Sequence, residues 1–258
     1  DCTIVLDARL PRTLAGLLAG GALGLAGALM QTLTRNPLAD PGILGVNAGA
    51  SFAIVLGAAL LGITSPQEQL AMAFCGALVA SLIVAFTGSQ GGGQLSPVRL
   101  TLAGVALAAV LEGFSSGIAL LNQDVYDQLR FWQAGSLDIR TLQTLKTVLT
   151  PVLVAGAVAL MMSRSLNSLS LGADTATALG SKVARTQIMG LLVITILCAS
   201  ATSVVGPIAF IGLMMPHISR WLVGSDNRWS LPVTILATPS LMVIAEDRKS
   251  TTLNYRHC

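Results

Sequence analysis

Between Arg12 and Arg35 the chain carries no charged side chain. At 1.5 Å per residue that run reaches roughly 30 Å, the depth of a bilayer's hydrocarbon core, so it predicts a membrane-crossing helix. Gly16, Gly20, Gly24 and Ala28 recur at a fixed interval along it. They form one side-chain-poor rail along which the backbone of a neighbouring helix can approach closely. RLPR brackets the run at one end, and Asn36-Pro37 and Asp40-Pro41-Gly42 bracket it at the other. Proline lacks a backbone donor and biases the preceding residue away from helix, so the chain must turn before the next apolar run.

The composition fits a bundle of such helices: 53% of residues are hydrophobic, only 10% are charged, and 26 are glycine. A soluble domain of this length needs far more surface charge. The net charge of +3 is small, and the basic residues stand singly between apolar runs, which excludes a nucleic-acid partner. Cys75 and Cys198 fall inside apolar runs, while Cys2 and Cys258 lie near opposite ends. With no CxxC pair or His/Cys cluster, neither a metal site nor a disulfide framework is indicated.

Further crossings are predicted at about Ile43–Ile63, Gln69–Thr87, Val98–Leu121 and Leu145–Met162. Two more fall within Thr186–Ser219, broken at Gly206-Pro207, and another spans Trp229–Ala245, giving about eight. A transmembrane domain over 1–247 is followed by a polar tail, 248–258, part of EDRKSTTLNYRHC, which has no helical periodicity and reads as a truncation or frame artefact. Asn122–Leu145 is polar and aromatic, with room for a short surface helix. RSLNSLSLGADTATALGSKVART, after the fifth crossing, reads as one or two small helices outside the membrane, capped by Gly172 and Gly180, with Leu171, Ala176 and Leu179 on one face. Placing this interval on the cytoplasmic side puts Arg35, Arg99, Arg164, Lys182, Arg185, Arg220 and Arg228 inside, against Arg9, Arg12, Arg130, Arg140 and Lys146 outside, a slight bias in the expected direction. Arg9 and Arg12 then fall outside, against the rule.

Glu112 is the one acid deep inside an apolar run, and an ionised carboxylate there is costly. Two readings stand: protonated helix-bundle glue bonded to Ser115 or Ser116, or a side chain facing an aqueous pathway. GFSSG, Gly113–Gly117, satisfies GxSxG, but a nucleophile elbow needs a strand-to-helix turn and this string lies within a helix. His217 reads as a packing or hydrogen-bonding residue. Lys182 lacks the spacing of a phosphate-binding loop, so the chain cannot itself bind ATP in that way and its energy must come from elsewhere. An ion-driven secondary transporter would want several intramembrane acids, and only Glu112 qualifies.

RLPRTLAGLLAGGALGLAGALMQTLTRNPLADPGILGVNAGAS, LTLAGVALAAV, LSLGADTATALG and VVGPIAFIGLMMPHISRWLVGSDNRWSLP closely resemble the permeases of bacterial ABC importers for iron-siderophores and vitamin B12. The resemblance implies an all-α, ten-helix subunit of the bacterial inner membrane, here without the family's first helix and its last one to two. It implies a second permease, ABC ATPase subunits and a periplasmic siderophore-binding protein as partners, with no cofactor bound directly and ATP used by the partner subunits. It further implies that Arg9 and Arg12 grip glutamates of the binding protein, and that Ser170–Arg185, with Leu171, Gly172, Ala176, Leu179 and Gly180, docks in a groove of the ATPase. Iron-siderophore cargo follows from the resemblance, with another iron chelate, heme or vitamin B12 as the alternative.

Overall fold

The computed structural model describes residues 10–90, 95–134 and 142–254, all of whose regular elements are helical. In chain order these are α1 (Leu10–Thr34), α2 (Val46–Leu61), α3 (Pro66–Ser89), α4 (Pro97–Leu121) and α5 (Gln123–Gln133), then α6 (Leu142–Met161), α7 (Ser163–Ser170), α8 (Ala173–Ala178), α9 (Val183–Val205), α10 (Ile211–Val223) and α11 (Asn227–Asn254). Their starts follow local chemistry. Ser65 caps α3 by accepting from the Glu68 amide and donating to its carboxylate at 2.7 Å, with Pro66 in the first turn. Ser96-Pro97 repeats the device at α4, and Asn122 caps the short α5.

α1 and α9 run through the interior. α1 packs on α6, α9, α10 and α11, and α9 also meets α3. The predicted rail is used. A Cβ on Gly20 would lie 2.8 Å from the Pro239 backbone, and one on Gly24 would overlap the Thr238 side chain, so α11 is the neighbour that runs along it. Gly27, off the rail, abuts the Gly212 carbonyl of α10, and Gly49 and Gly76 bring α2 and α3 together in the same way. Lipid tails are as apolar as leucine, so contact of this closeness supplies the association that hydrophobicity alone cannot. Interior polar groups add to it: Gln31 donates to the Leu213 carbonyl at 3.0 Å, and Thr202 to Asn47 at 3.3 Å.

Among the described residues five helices are long and apolar enough to cross a bilayer, six if the α6–α7 pair, bent by 53°, counts as one span. The remaining two expected crossings are shorter. The one expected from Ile43 begins as a 3-10 turn, Pro41–Leu44, and becomes α-helical only after Gly45 at φ 71°, leaving α2 with 16 residues, roughly 24 Å. The break at Gly206 falls where expected, but α10 after it has 13 residues, roughly 20 Å. The tail differs too: α11 continues to Asn254, because no glycine or proline follows Pro239 to stop it.

Candidate functional site

The chain leaves α6 through a bend and lays down α7, an amphipathic helix whose Leu166 and Leu169 are buried in the main core. Gly172, at φ 111°, separates it from α8. α8 ends in a left-handed cap: Gly180 (φ 79°) donates to the Thr177 carbonyl and Ser181 to that of Ala176, both at 2.9 Å. Both glycines therefore do what the sequence assigned them. The single apolar face does not hold. Ala176 is fully buried, whereas Leu171 and Leu179 are 64% and 63% exposed. In so short a helix, alanines at 173 and 176 turn inward and the two leucines at its ends are left outward. Leu171 and Leu179 thus stand exposed on either side of α8, and Ala176 packs it against its own chain.

Arg35 stands beside this segment, with Nη1 3.7 Å from where a Gly172 Cβ would be. It closes α1 in the left-handed region at φ 52°, where glycine is the usual residue. The α3–α4 connection reaches the same end, through the Leu95 amide donating to Gln187 at 3.1 Å. Arg12 lies in the first turn of α1, half-buried and roughly 33 Å along the helix from Thr34, so the two expected docking regions occupy opposite ends. Arg9 lies outside the described residues.

On α4 the serine partnership expected for Glu112 is not made. Ser115 is buried and donates to the Leu111 carbonyl at 2.8 Å, while Ser116 and Glu112 are exposed. A Cβ on Gly113 or Gly117 would meet nothing within 4 Å. GFSSG is continuous helix, with no elbow. His217 stacks at a tilt on Trp221, ring centroids 5.2 Å apart, the packing role expected of it. A groove of about 770 Å³ between α1 and α6 is walled by hydrocarbon such as Leu17, Leu149 and Leu153, with Lys146 the one charged residue in its lining. It offers a hydrated anionic chelate almost nothing to bond.

Sequence reasoning missed a polar cluster at the same end as α8. Asn167 of α7 donates to Asp226 at 2.6 Å and accepts from both the backbone and the side-chain nitrogen of Asn227 at 2.8 Å. Asp226 also accepts from the Arg228 amide at 2.9 Å and so caps α11. That amide, the Asn167 side chain and the Arg228 charge hold its carboxyl below the usual aspartate value. GSDNR carries Asp at a helix start, a local signal for the cap though not for the bond to Asn167.

A helical bundle in which five or six of the described helices are long and apolar enough to cross a bilayer defines a multi-pass membrane protein. Residues 1–254 match the FecCD transport family, and the chain belongs to it. It is 85% identical to the ferric enterobactin transport system permease protein FepD of Escherichia coli over 246 residues, 95% of this chain and 74% of that protein. It is 35% identical to the ferric enterobactin transport system permease protein FepG of the same organism, over 94% of this chain and 73% of that one. A solved structure described as an inward-facing conformation of a metal-chelate type ABC transporter matches with a TM-score of 0.85 at 28% identity, covering 97% of this chain and 80% of that chain.

Proposed function

We propose that this chain is the permease subunit of an ATP-driven importer that carries ferric enterobactin across the bacterial inner membrane. The observation that carries the reading is the 85% identity to FepD across 95% of the chain. The subunit does no bond chemistry. ATP is bound and hydrolysed by separate ATPase subunits, which engage Leu171 and Leu179 and are guided by the positive φ of Gly172 and Gly180 beside them. A rigid docked element of this kind is what lets closure of an ATPase move membrane helices. The open face of α4 around Gly113 and Gly117 receives a second permease, and the pathway runs between the two. Arg12, with Arg9, meets carboxylates of a periplasmic siderophore-binding protein, for which the two-pronged guanidinium is suited.

The test is uptake of iron-labelled ferric enterobactin into vesicles carrying the full complex, with ATP inside and no ion gradient. ATP-dependent accumulation is expected. Accumulation driven by an ion gradient in the absence of ATP overturns the reading, as does transport by the permease alone in liposomes.

A further inference from the structure

The hydrogen-bonded cluster of Asn167, Asp226 and Asn227 has no part in the function as stated so far. It joins segments 59 and 60 residues apart in sequence, tying the docking element to the first turn of α11. Asn167 uses its amide on both sides: the NH2 group donates to one residue, and the carbonyl oxygen takes two bonds from the next. The donor to an ionised carboxylate is the strong member.

What lies beyond the cluster gives it a mechanical meaning. α7 packs on both α1 and α11, with Leu166 and Leu169 buried beneath it. Thr32 of α1 lies 3.5 Å from the Asn227 side-chain oxygen, while its own hydroxyl proton is committed to the Ala28 carbonyl at 2.9 Å. α1 and α11 are in turn locked along Gly20 and Gly24. Among the described residues this cluster is a polar joint on the path from the exposed leucines to the interior, beside the apolar packing of α7 on α1, and on its far side α1 and α11 are in close contact. α7 itself leaves α6 at a 53° bend.

We propose that Asn167 is a positioning residue, the latch by which displacement of the docking element is passed through Asp226 and Asn227 to the α1–α11 pair. This rests on the importer reading above. Without the latch, α7 can swing at its bend while α11 stays behind, so hydrolysis proceeds and the pathway does not switch.

The experiment uses the full complex in proteoliposomes and reads iron imported per ATP hydrolysed. ATP-driven uptake by the unaltered complex tests the importer reading by itself; its absence sinks that reading, not the latch. Given uptake, Asn167→Asp sets a second carboxylate against Asp226, and iron per ATP is expected to fall about tenfold, the factor that one lost charge-assisted hydrogen bond removes. Adding Asp226→Asn restores a donor and an acceptor in exchanged places, and the ratio is expected to recover. A role confined to folding would lower the amount of assembled complex and leave the ratio alone. Should Asn167→Asp fail to assemble, Asn167→Ala, which breaks the bonds without adding a charge, is read in the same way. A wild-type ratio in Asn167→Asp or Asn167→Ala, or no recovery in the exchange, overturns the proposal.

Discussion

α1 and α4 are both 25-residue apolar helices laced with glycine, and they have opposite surroundings. In the most apolar stretch of α1, 72% of residues are buried; in that of α4 the share is 17%. Gly20, Gly24 and Gly27 of α1 are pressed against Pro239, Thr238 and Gly212, and on α4 Gly104 is pressed against the Ile43 carbonyl whereas Gly113 and Gly117 meet nothing within 4 Å. Small residues at helical spacing prepare a surface for close approach. They do not say whether the approaching helix belongs to the same chain. α1 has found its neighbours within this chain, and α4 presents the same kind of surface outward, which is why the second permease is placed there.

The largest effect that can break this contrast comes from one pair of substitutions. Gly27→Leu drives a side chain into the Gly212 carbonyl and is expected to cost at least the roughly 3 kcal/mol at the upper end of ordinary overpacking. Gly113→Leu opens into free space and is expected to change the stability of the isolated subunit by less than about 0.5 kcal/mol. Thermal unfolding in detergent compares them, and equal losses would end the distinction. Gly113→Trp with Gly117→Trp then sharpens it. The fold is retained, and association with the second permease weakens by at least about tenfold, near 1.4 kcal/mol, measured by titrating one subunit with the other.

Leu171→Ala with Leu179→Ala is next in size. These exposed leucines are expected to contribute about 1 to 2 kcal/mol to ATPase binding, while the melting temperature of the permease alone stays put. Ala176→Asp, at a fully buried position, lowers that melting temperature instead, so it cannot serve as a clean uncoupling variant. At the opposite end, Arg12→Glu is expected to weaken binding-protein association and to make it less salt-sensitive, because a steering charge is reversed. Unchanged association across a salt series would leave Arg12 as a helix-end residue.

How much of this was legible follows from which interactions are local. Charge-free runs gave the long spans, and Gly172 and Gly180 gave the punctuation around α8, since each acts within a few residues. Whether Ala176 or Leu179 faces inward depends on α7 and α9, which pack around α8; two leucines and an alanine at near-helical spacing look like one stripe until that packing exists. The latch was unreadable for the same reason. Asn167 and Asn227 are ordinary polar residues at the edges of apolar runs, and only folding brings them within 2.8 Å. The rail on α1 was visible, but its partner was not, because α11 offers Pro239 and Thr238 where the sequence shows no small-residue motif of its own.

Glu112 gives the smallest expected effect and the finest test of what the open face meets. Its carboxylate is exposed on α4, and Ser115 bonds elsewhere, so helix glue within this chain is not its role. Two surroundings remain, lipid and a hydrated cleft between subunits, and they differ energetically. A carboxylate facing lipid at mid-membrane depth costs about 2.5 to 3.5 kcal/mol on insertion scales, so Glu112→Leu would stabilise the assembled complex by a comparable amount. In a hydrated cleft the carboxylate keeps its water, and the same change is expected to move stability by less than about 0.5 kcal/mol. We expect the second result, with Glu112→Gln supporting uptake close to that of the unaltered complex, since an anionic cargo gains nothing from an acid on its path. A large stabilisation by Glu112→Leu would turn this part of α4 toward lipid and move the subunit contact to another face.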